Sequence, residues 1–290
     1  MNNFKFRLII SEAQDGFINM AIDEAITIAC DKGLSSPTLR LYTWSPPCIS
    51  VGYFQDVNEA VDISECKRQN IDIVRRLTGG KAVLHNKELT YSVISPSKNQ
   101  IFPKGIKGSY KVIADCLLHG LKNLGISGEI TERPSKNKGG FSCFLDTSFY
   151  EISVKGKKLI GSAQKRWRNH FLQHGSVIVS PSYIQLASLL RFNNHEQRTK
   201  FINLHKEKST SIEDEAKKMS GTAGIISAIK KGFEQGIGIK LFEAELTDFE
   251  KKETQRLLKD KYGKEDWNLY RKTSQSETLL SLPISIYFFL

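Results

Sequence analysis

Short strand-like runs and helical stretches follow one another along this chain in no regular strand–helix–strand order. That irregular mixture most limits the folds open to it. Residues 4–10 alternate as a strand, and 15–31 read as a helix, with Met20, Ala21, Ala25, Ile28 and Ala29 at helical spacing and Gly33 as a stop. Strands are expected at 38–42, 48–52 and 71–75, with a helix over 58–69 between the last two. Residues 82–84 and 89–94 flank a tight polar turn, and 110–124 form a helix ended by Gly125. A hairpin is expected from 149–154 and 159–162 around Lys155, Gly156 and Lys157, followed by a strand over 171–179. Helices are expected at 182–190 and 211–217, with a Lys-rich link between them. Near Ser220 the texture changes to helix, strand (237–244) and helix (247–262). The expectation is an α+β fold: a mixed-sheet domain with helices packed around it over 1–219, and a small C-terminal α/β appendage over 220–290.

Composition narrows the class. Hydrophobic residues make up 40% of the 290 and charged residues 25%, enough for a sizeable core and unlike a disordered or collagen-like chain. No apolar run approaches the roughly 18–20 residues that span a bilayer. The greasy stretch 281–290 is too short and reads as a packed terminal strand, and residues 1–5 lack a signal-peptide core. A cytoplasmic protein without membrane contact is expected. The five cysteines, at 30, 48, 66, 116 and 143, show no C-x-x-C spacing. No metal site and no disulfide framework are therefore expected. The 42 Lys+Arg against 31 Asp+Glu leave a net charge of +11. Without a long basic run or aromatics interleaved with arginine, this is either a plain solubility charge or, read functionally, favours an acidic protein partner over nucleic acid.

Three clusters could carry chemistry. In the first, Arg75-Arg76-Leu77-Thr78-Gly79-Gly80-Lys81-Ala82-Val83-Leu84-His85, a strand enters a Gly-Gly turn and a second strand leaves it. Paired glycines let a ligand approach the backbone and bind its N–H groups; the bland alternative is a hairpin turn with incidental arginines. The second, Lys158-Leu159-Ile160-Gly161-Ser162-Ala163-Gln164, ends in three small residues that leave room above a strand, with a lysine at the mouth. The bland alternative is a solvated hairpin. The third is Cys143, which follows a Gly-rich segment carrying Lys136 and Lys138, an electropositive setting that favours thiolate; the bland alternative, commoner for a lone loop cysteine, is a structural thiol. His170 and His174 are possible partners for it. Residues 134–140, without an apolar anchor, are expected as a mobile loop, and the other four cysteines as packing. Cys143 and Lys158 meet only if residues 143–148 fold back, because six strand residues span roughly 20 Å.

In this order the clusters resemble the lipoate–protein ligase and octanoyltransferase branch of the biotin/lipoate ligase superfamily. Residues 75–85 with Glu88-Leu89-Thr90-Tyr91-Ser92 resemble its first signature, 158–164 its second, Leu172-Gln173-His174-Gly175-Ser176 a third, and Asn19-Met20-Ala21-Ile22-Asp23-Glu24-Ala25 its opening helix. The resemblance implies the family's mixed-sheet catalytic domain and, through Cys143, its cysteine-dependent octanoyltransferases. It implies transfer of octanoyl from acyl carrier protein to a lysine of lipoyl domains or glycine-cleavage H protein. Cys143 would take the acyl group as a thioester and Lys158 would lower the thiol pKa. Arg75, Arg76, Thr78, Gly79, Gly80, Ala82, His85, Gly161, Ser162, Ala163 and His174 would bind substrate, with no ATP or metal. Asn86 stands where relatives commonly have Asp, and Lys81 where ligases more often have a third Gly. Open alternatives are an amidotransferase from H protein to lipoyl domains, an ATP-dependent lipoate ligase, and a non-catalytic protein that binds lipoyl domains or RNA.

Overall fold

A computed structural model describes residues 5–131, 151–218 and 221–272. Cys143, the expected loop at 134–140, the expected terminal strand at 281–290 and the expected boundary at 219/220 lie outside them. The chain opens with β1 (Phe6–Ile10), α1 (Gly16–Asp31), β2 (Thr38–Tyr42) and β3 (Cys48–Val51), then α2 (Val57–Ala60), α3 (Ile63–Arg68), β4 (Asp72–Arg75), β5 (Val83–His85) and β6 (Glu88–Pro96). It continues through α4 (Ile106–Asn123), β7 (Glu129–Thr131), β8 (Glu151–Val154), β9 (Lys157–Arg166) and β10 (His170–Ile178). There follow α5 (Tyr183–Leu189), α6 (His195–Lys208), α7 (Ile212–Glu215), α8 (Gly221–Ile237), β11 (Leu241–Glu243), α9 (Asp248–Leu257), a π-helical turn (Leu258–Tyr262) and α10 (Glu265–Asn268).

Eight strands form one sheet in the order β11-β1-β2-β6-β10-β9-β8-β7, and three form a second in the order β4-β3-β5. Parallel pairs (β1 with β2 and β11, β3 with β4) coexist with antiparallel ones, so the fold is α+β with mixed sheets. Side chains alternate across the large sheet. Leu39, Leu41, Tyr91, Val93, Phe171 and Val177 turn to one face and pack under α4 and α8 through Ile113, Leu117, Ile229 and Phe233. Ile9, Tyr42, Ile94 and Leu172 turn to the other face, against Met20, Ala21, Ala25 and Ile26 of α1. The small sheet has its own core, where Ile49, Val51, Ala82 and Leu84 meet Cys66, Leu186, Leu189 and Phe201.

Helix α1 begins where Asp15 accepts the Ile18 N–H at 2.7 Å, and Gly33 beyond its end takes a φ of +69°. The helix expected over 58–69 is two. The Asp62 carboxylate accepts the Glu65 N–H at 3.1 Å and starts a new helix after the extended Val61. The Lys-rich link is α6, capped by Asn194 and burying only Phe201 and His205, an apolar face too sparse for periodicity to reveal. The Gly79–Gly80 turn does not close a hairpin, because β3 lies between β4 and β5.

The C-terminal helix–strand–helix unit is knitted into the main sheet. β11 pairs with β1 from Phe6↔Leu241 to Leu8↔Glu243. Buried Arg7 grips Glu250 of α9 with two bonds, of 2.9 and 2.6 Å. Glu250 also completes the capping box of its own helix with Thr247. Removing one partner of a buried, hydrogen-bonded pair leaves an uncompensated charge. Glu250→Gln is therefore expected to lower the unfolding free energy by about 3–5 kcal/mol. Urea titration checks this, and an Arg7→Met/Glu250→Leu double substitution should recover most of the loss.

Candidate active site

The first cluster is built around a backbone contact. A Cβ at Gly52, just past β3, would fall on the Gly80 carbonyl oxygen, so the Gly79–Gly80 turn lies directly on the β3 exit. The Tyr53 N–H donates to the Thr78 carbonyl at 2.8 Å across the same contact. Arg76 folds back under the turn, donating to the carbonyls of Ser50 (2.8 Å), Gly79 (2.8 Å) and Lys81 (2.9 Å). Arg75 reaches the carbonyls of Gly52 (2.9 Å), Gln55 (2.8 Å), Trp267 (3.1 Å) and Leu269 (3.1 Å). Both guanidinium groups thus brace main chain around the turn, a role that sequence reasoning did not assign. Burial pulls Arg75 down to about 10.

Thr78 is fully buried, and its Oγ1 lies 2.6 Å from Nε2 of His174 on β10. Nδ1 of His174 faces Asp23 of α1 at 3.6 Å. With that proton directed at the carboxylate, Nε2 accepts from the Thr78 hydroxyl. Burial outweighs the pull of Asp23 and holds His174 below the usual histidine range, so the ring is neutral near pH 7. Burial works against the charge of Asp23, but the His174 bond and the Arg40 guanidinium overcome it and keep its carboxyl low. His85 is held separately. Its Nε2 is 2.8 Å from Ser50 Oγ, its Nδ1 is 3.2 Å from Glu88, and Trp44 stacks on it at 4.0 Å. Ala82 is buried in the small sheet.

The second cluster joins the first through strand register. Ala163 pairs with His174 and Gly161 with Ser176, so Gly161 and Ala163 share the face that carries Thr78 and the Gly-Gly turn. Ser162 turns the other way, its hydroxyl 2.6 Å from the Tyr91 phenol on the face under α4 and α8. It thus lies on the opposite face from Gly161 and Ala163. Lys158, three residues before Gly161, belongs by strict alternation on the Ser162 side. A β-bulge reverses this. Between β8 and β9 the register steps from Ser153↔Lys158 to Ile152↔Ile160, one residue against two, so Leu159 is the extra residue. Leu159 and Ile160 both enter the core with Ile152. Lys158 is thereby carried to the face of Glu151, Gly161 and Ala163. There its Nζ donates to Glu151 Oε1 at 2.5 Å, with both side chains nearly buried. Lys165 ends the same row, 5.0 Å from the Tyr53 ring and 4.8 Å from Trp167, and burial lowers it to about 8. Sequence reasoning singled out neither Lys165 nor Glu151.

A cavity of about 340 Å³ opens on this face beyond Ser176, lined among others by Asn86, Glu88, Lys157, His205 and Tyr183. It is the size of a small-ligand cleft. The Ser176 hydroxyl donates to Glu88 at its edge, at 2.5 Å. Among the described residues no three His, Cys, Asp or Glu side chains converge as a metal site. Cys30, Cys48, Cys66 and Cys116 are buried, and burial pushes their thiols up, to about 12 for Cys30, Cys66 and Cys116. These four are packing, unsuited to act as thiolates near neutral pH. His170 lies against Asp31, at 2.9 Å. No described helix is long and apolar enough to cross a membrane.

With this geometry in place, comparisons with known proteins are informative. Residues 15–234 match the model of the lipoyl protein ligase A/B catalytic domain. The chain is 37% identical over 274 residues to octanoyltransferase LipM of Brevibacillus brevis, covering 92% of this chain and 99% of that one. It is 38% identical over 270 residues to octanoyltransferase LipM of Clostridioides difficile, with the same coverage. Among solved structures, it superposes with a TM-score of 0.79 on a chain from the bi-partite lipoate protein ligase and E2 lipoyl domain system of Thermoplasma acidophilum, at 24% identity and covering 94% and 99% of the two chains. Lipoate-protein ligase A bound with ATP gives a TM-score of 0.77 at 24% identity, covering 92% and 100%. These structural likenesses speak to the fold.

Two outcomes are expected from the geometry. Gly52→Ala should push the Gly79–Gly80 turn off β3, raising amide hydrogen exchange at residues 78–81 by about tenfold or more while α4 keeps its protection. His205, buried on α6, is held down to about 4 by burial and by the nearby Lys158 ammonium. Once unfolded it takes up a proton below its ordinary 6.5, so it lowers stability progressively as pH falls from about 6.5 to about 4. Burial lowers His170 and His174 in the same direction. Thermal midpoints measured across that window should fall less steeply for His205→Leu than for the wild type.

Proposed function

The chain belongs to the lipoyl protein ligase A/B catalytic domain family, and from that premise we propose that it moves octanoyl from acyl carrier protein to a lysine of lipoyl domains or glycine-cleavage H protein through a thioester on Cys143. It is an acyltransferase, and octanoyl transfer is the reaction its curated relatives carry in their names. The observation that carries the finer reading is convergence on one face. The Thr78–Gly80 turn, Gly161, Ala163 and Lys158 share one side of the large sheet, which places small residues, a Gly-Gly turn and an ammonium on one face.

Chemistry supports a route without ATP. The Cys143 thiolate attacks the carbonyl carbon of the octanoyl thioester. A new C–S bond forms, the bond to the donor sulfur breaks, and that sulfur leaves and takes a proton. The neutral ε-amine of the acceptor lysine then attacks the acyl-enzyme. A C–N bond forms, the bond to Cys143 breaks, and the amine proton passes to the Cys143 sulfur. Thioester exchange is nearly thermoneutral and amide formation runs downhill, so no nucleotide is needed to drive either half. The Lys158 ammonium stabilises the thiolate and relays protons. Gly161, Ala163 and the Gly79–Gly80 turn hold the acyl chain and its carbonyl. The net charge of +11 suits an acidic carrier protein and makes association salt-sensitive.

Intact-protein mass spectrometry after mixing with octanoyl-acyl carrier protein, without ATP, tests this. A hydroxylamine-labile octanoyl adduct on wild type and none on Cys143→Ser is the expected result. An adduct only from octanoylated H protein would make the chain an amidotransferase. Modification only with ATP and a free acid would make it a ligase.

A further inference from the structure

We infer that Glu151 is a positioning residue for acyl transfer, its carboxylate pinning the Lys158 ammonium to the face shared with Gly161 and Ala163. The inference rests on the reading that Lys158 acts in the reaction. It goes beyond that reading in naming what makes the lysine competent.

Three observations converge. First, the Leu159 bulge is what turns Lys158 toward Glu151. Without the extra residue Lys158 would lie with Ile152 and Ile160 in the apolar core under α4 and α8. Bulges beside active sites commonly re-aim a side chain in this way. Second, Glu151 lies diagonally across the β8–β9 ladder from Lys158, two residues from its direct partner Ser153, within reach of long side chains. Third, the strand at Lys158 is fixed and its described neighbour on α6 adds no charge near pH 7. His205, on the α6 side, is neutral near pH 7, and the Lys158 carbonyl is itself tied to the Thr210 N–H at 2.9 Å.

A buried ion pair is a poor device for stability, since apolar replacement is often neutral or stabilising. It is a good device for orientation. Lysine carries a flexible four-carbon stem whose rotamer freedom must be removed if its head is to meet a reacting sulfur. Glu151 removes it from the neighbouring strand, where the polar residue costs nothing in core packing on the opposite face.

The test is a double-mutant cycle read by the rate of octanoyl-adduct formation in single-turnover mass spectrometry. Glu151→Gln is expected to slow acylation about 10- to 100-fold while the donor concentration giving half-maximal rate stays within about twofold. Glu151→Asp, which keeps the charge, should recover most of that loss. In a Lys158→Met background, followed long enough to resolve its slow rate, adding Glu151→Gln should change the rate by less than about twofold. Circular dichroism confirms the fold of each variant at the assay temperature. If Glu151→Gln alone is unstable, Glu151→Met/Lys158→Met, which removes both charges, is compared with Lys158→Met and should acylate at the same rate. A wild-type rate for Glu151→Gln, or an equal slowing with and without Lys158, would overturn the inference while leaving the Lys158 reading standing. A Lys158→Met protein that acylates at the wild-type rate would instead overturn the reading beneath it.

Discussion

The buried carboxylate of Asp23 ties α1 to three strands of the large sheet at once. It projects from α1 and accepts from Arg40 and Tyr42 of β2 at 2.8 and 3.0 Å and from Ser92 of β6 at 3.0 Å, and it faces His174 of β10. Three consecutive strands of the large sheet thus answer to one anion. Arg40 extends the network to the Asn19 side-chain oxygen at 2.6 Å and lies 3.9 Å over the Tyr42 ring. A charge in so dry a place is tolerable only when its partners are all in position. The docking of α1, the register of β2, β6 and β10, and the hold of His174 on Thr78 are therefore coupled.

Around that anchor, charged and small residues divide the work. Arg75 and Arg76 sit in the motif that most suggests substrate recognition, and both also donate to main-chain carbonyls, Arg76 to the Ser50 hydroxyl as well. Two buried guanidinium groups thus hold the main chain on either side of the Gly79–Gly80 turn. Arg75 also joins the turn to Trp267, whose indole N–H donates back to the Arg75 carbonyl at 3.1 Å.

What was legible in the sequence follows local physics. The start of α1 at Asp15, its stop at Gly33 and the bounds of β2 depend on neighbouring residues, and they read correctly. The family signatures pointed to Thr78, Gly161, Ala163 and His174, and these do gather on one face. Four features were not legible. The break at Val61–Asp62 depends on a single cap competing with a continuous helical pattern. Helix α6 hides because two buried side chains make no periodic stripe. The bulge at Leu159 leaves no residue signature, since leucine suits either face. Without it Ser162 and Lys158 would share a side, and motif order alone treats them as neighbours. Glu151, an ordinary polar residue in a strand, acquires meaning only through the cross-strand diagonal.

The pairing of β1 with β11 has a consequence for how the protein comes into being. The outer neighbour of β1, and the carboxylate that neutralises Arg7, lie more than 230 residues after it and are synthesised that much later. At about 5–20 residues per second the edge of the nascent sheet stands open, with a buried-type arginine unmatched, for roughly 10–50 seconds. During that interval the half-built sheet has an unpaired strand edge, the kind of surface that recruits other chains. The pairing of β11 with β1 therefore comes late, covering the edge of β1 and matching its arginine in the same stretch of chain.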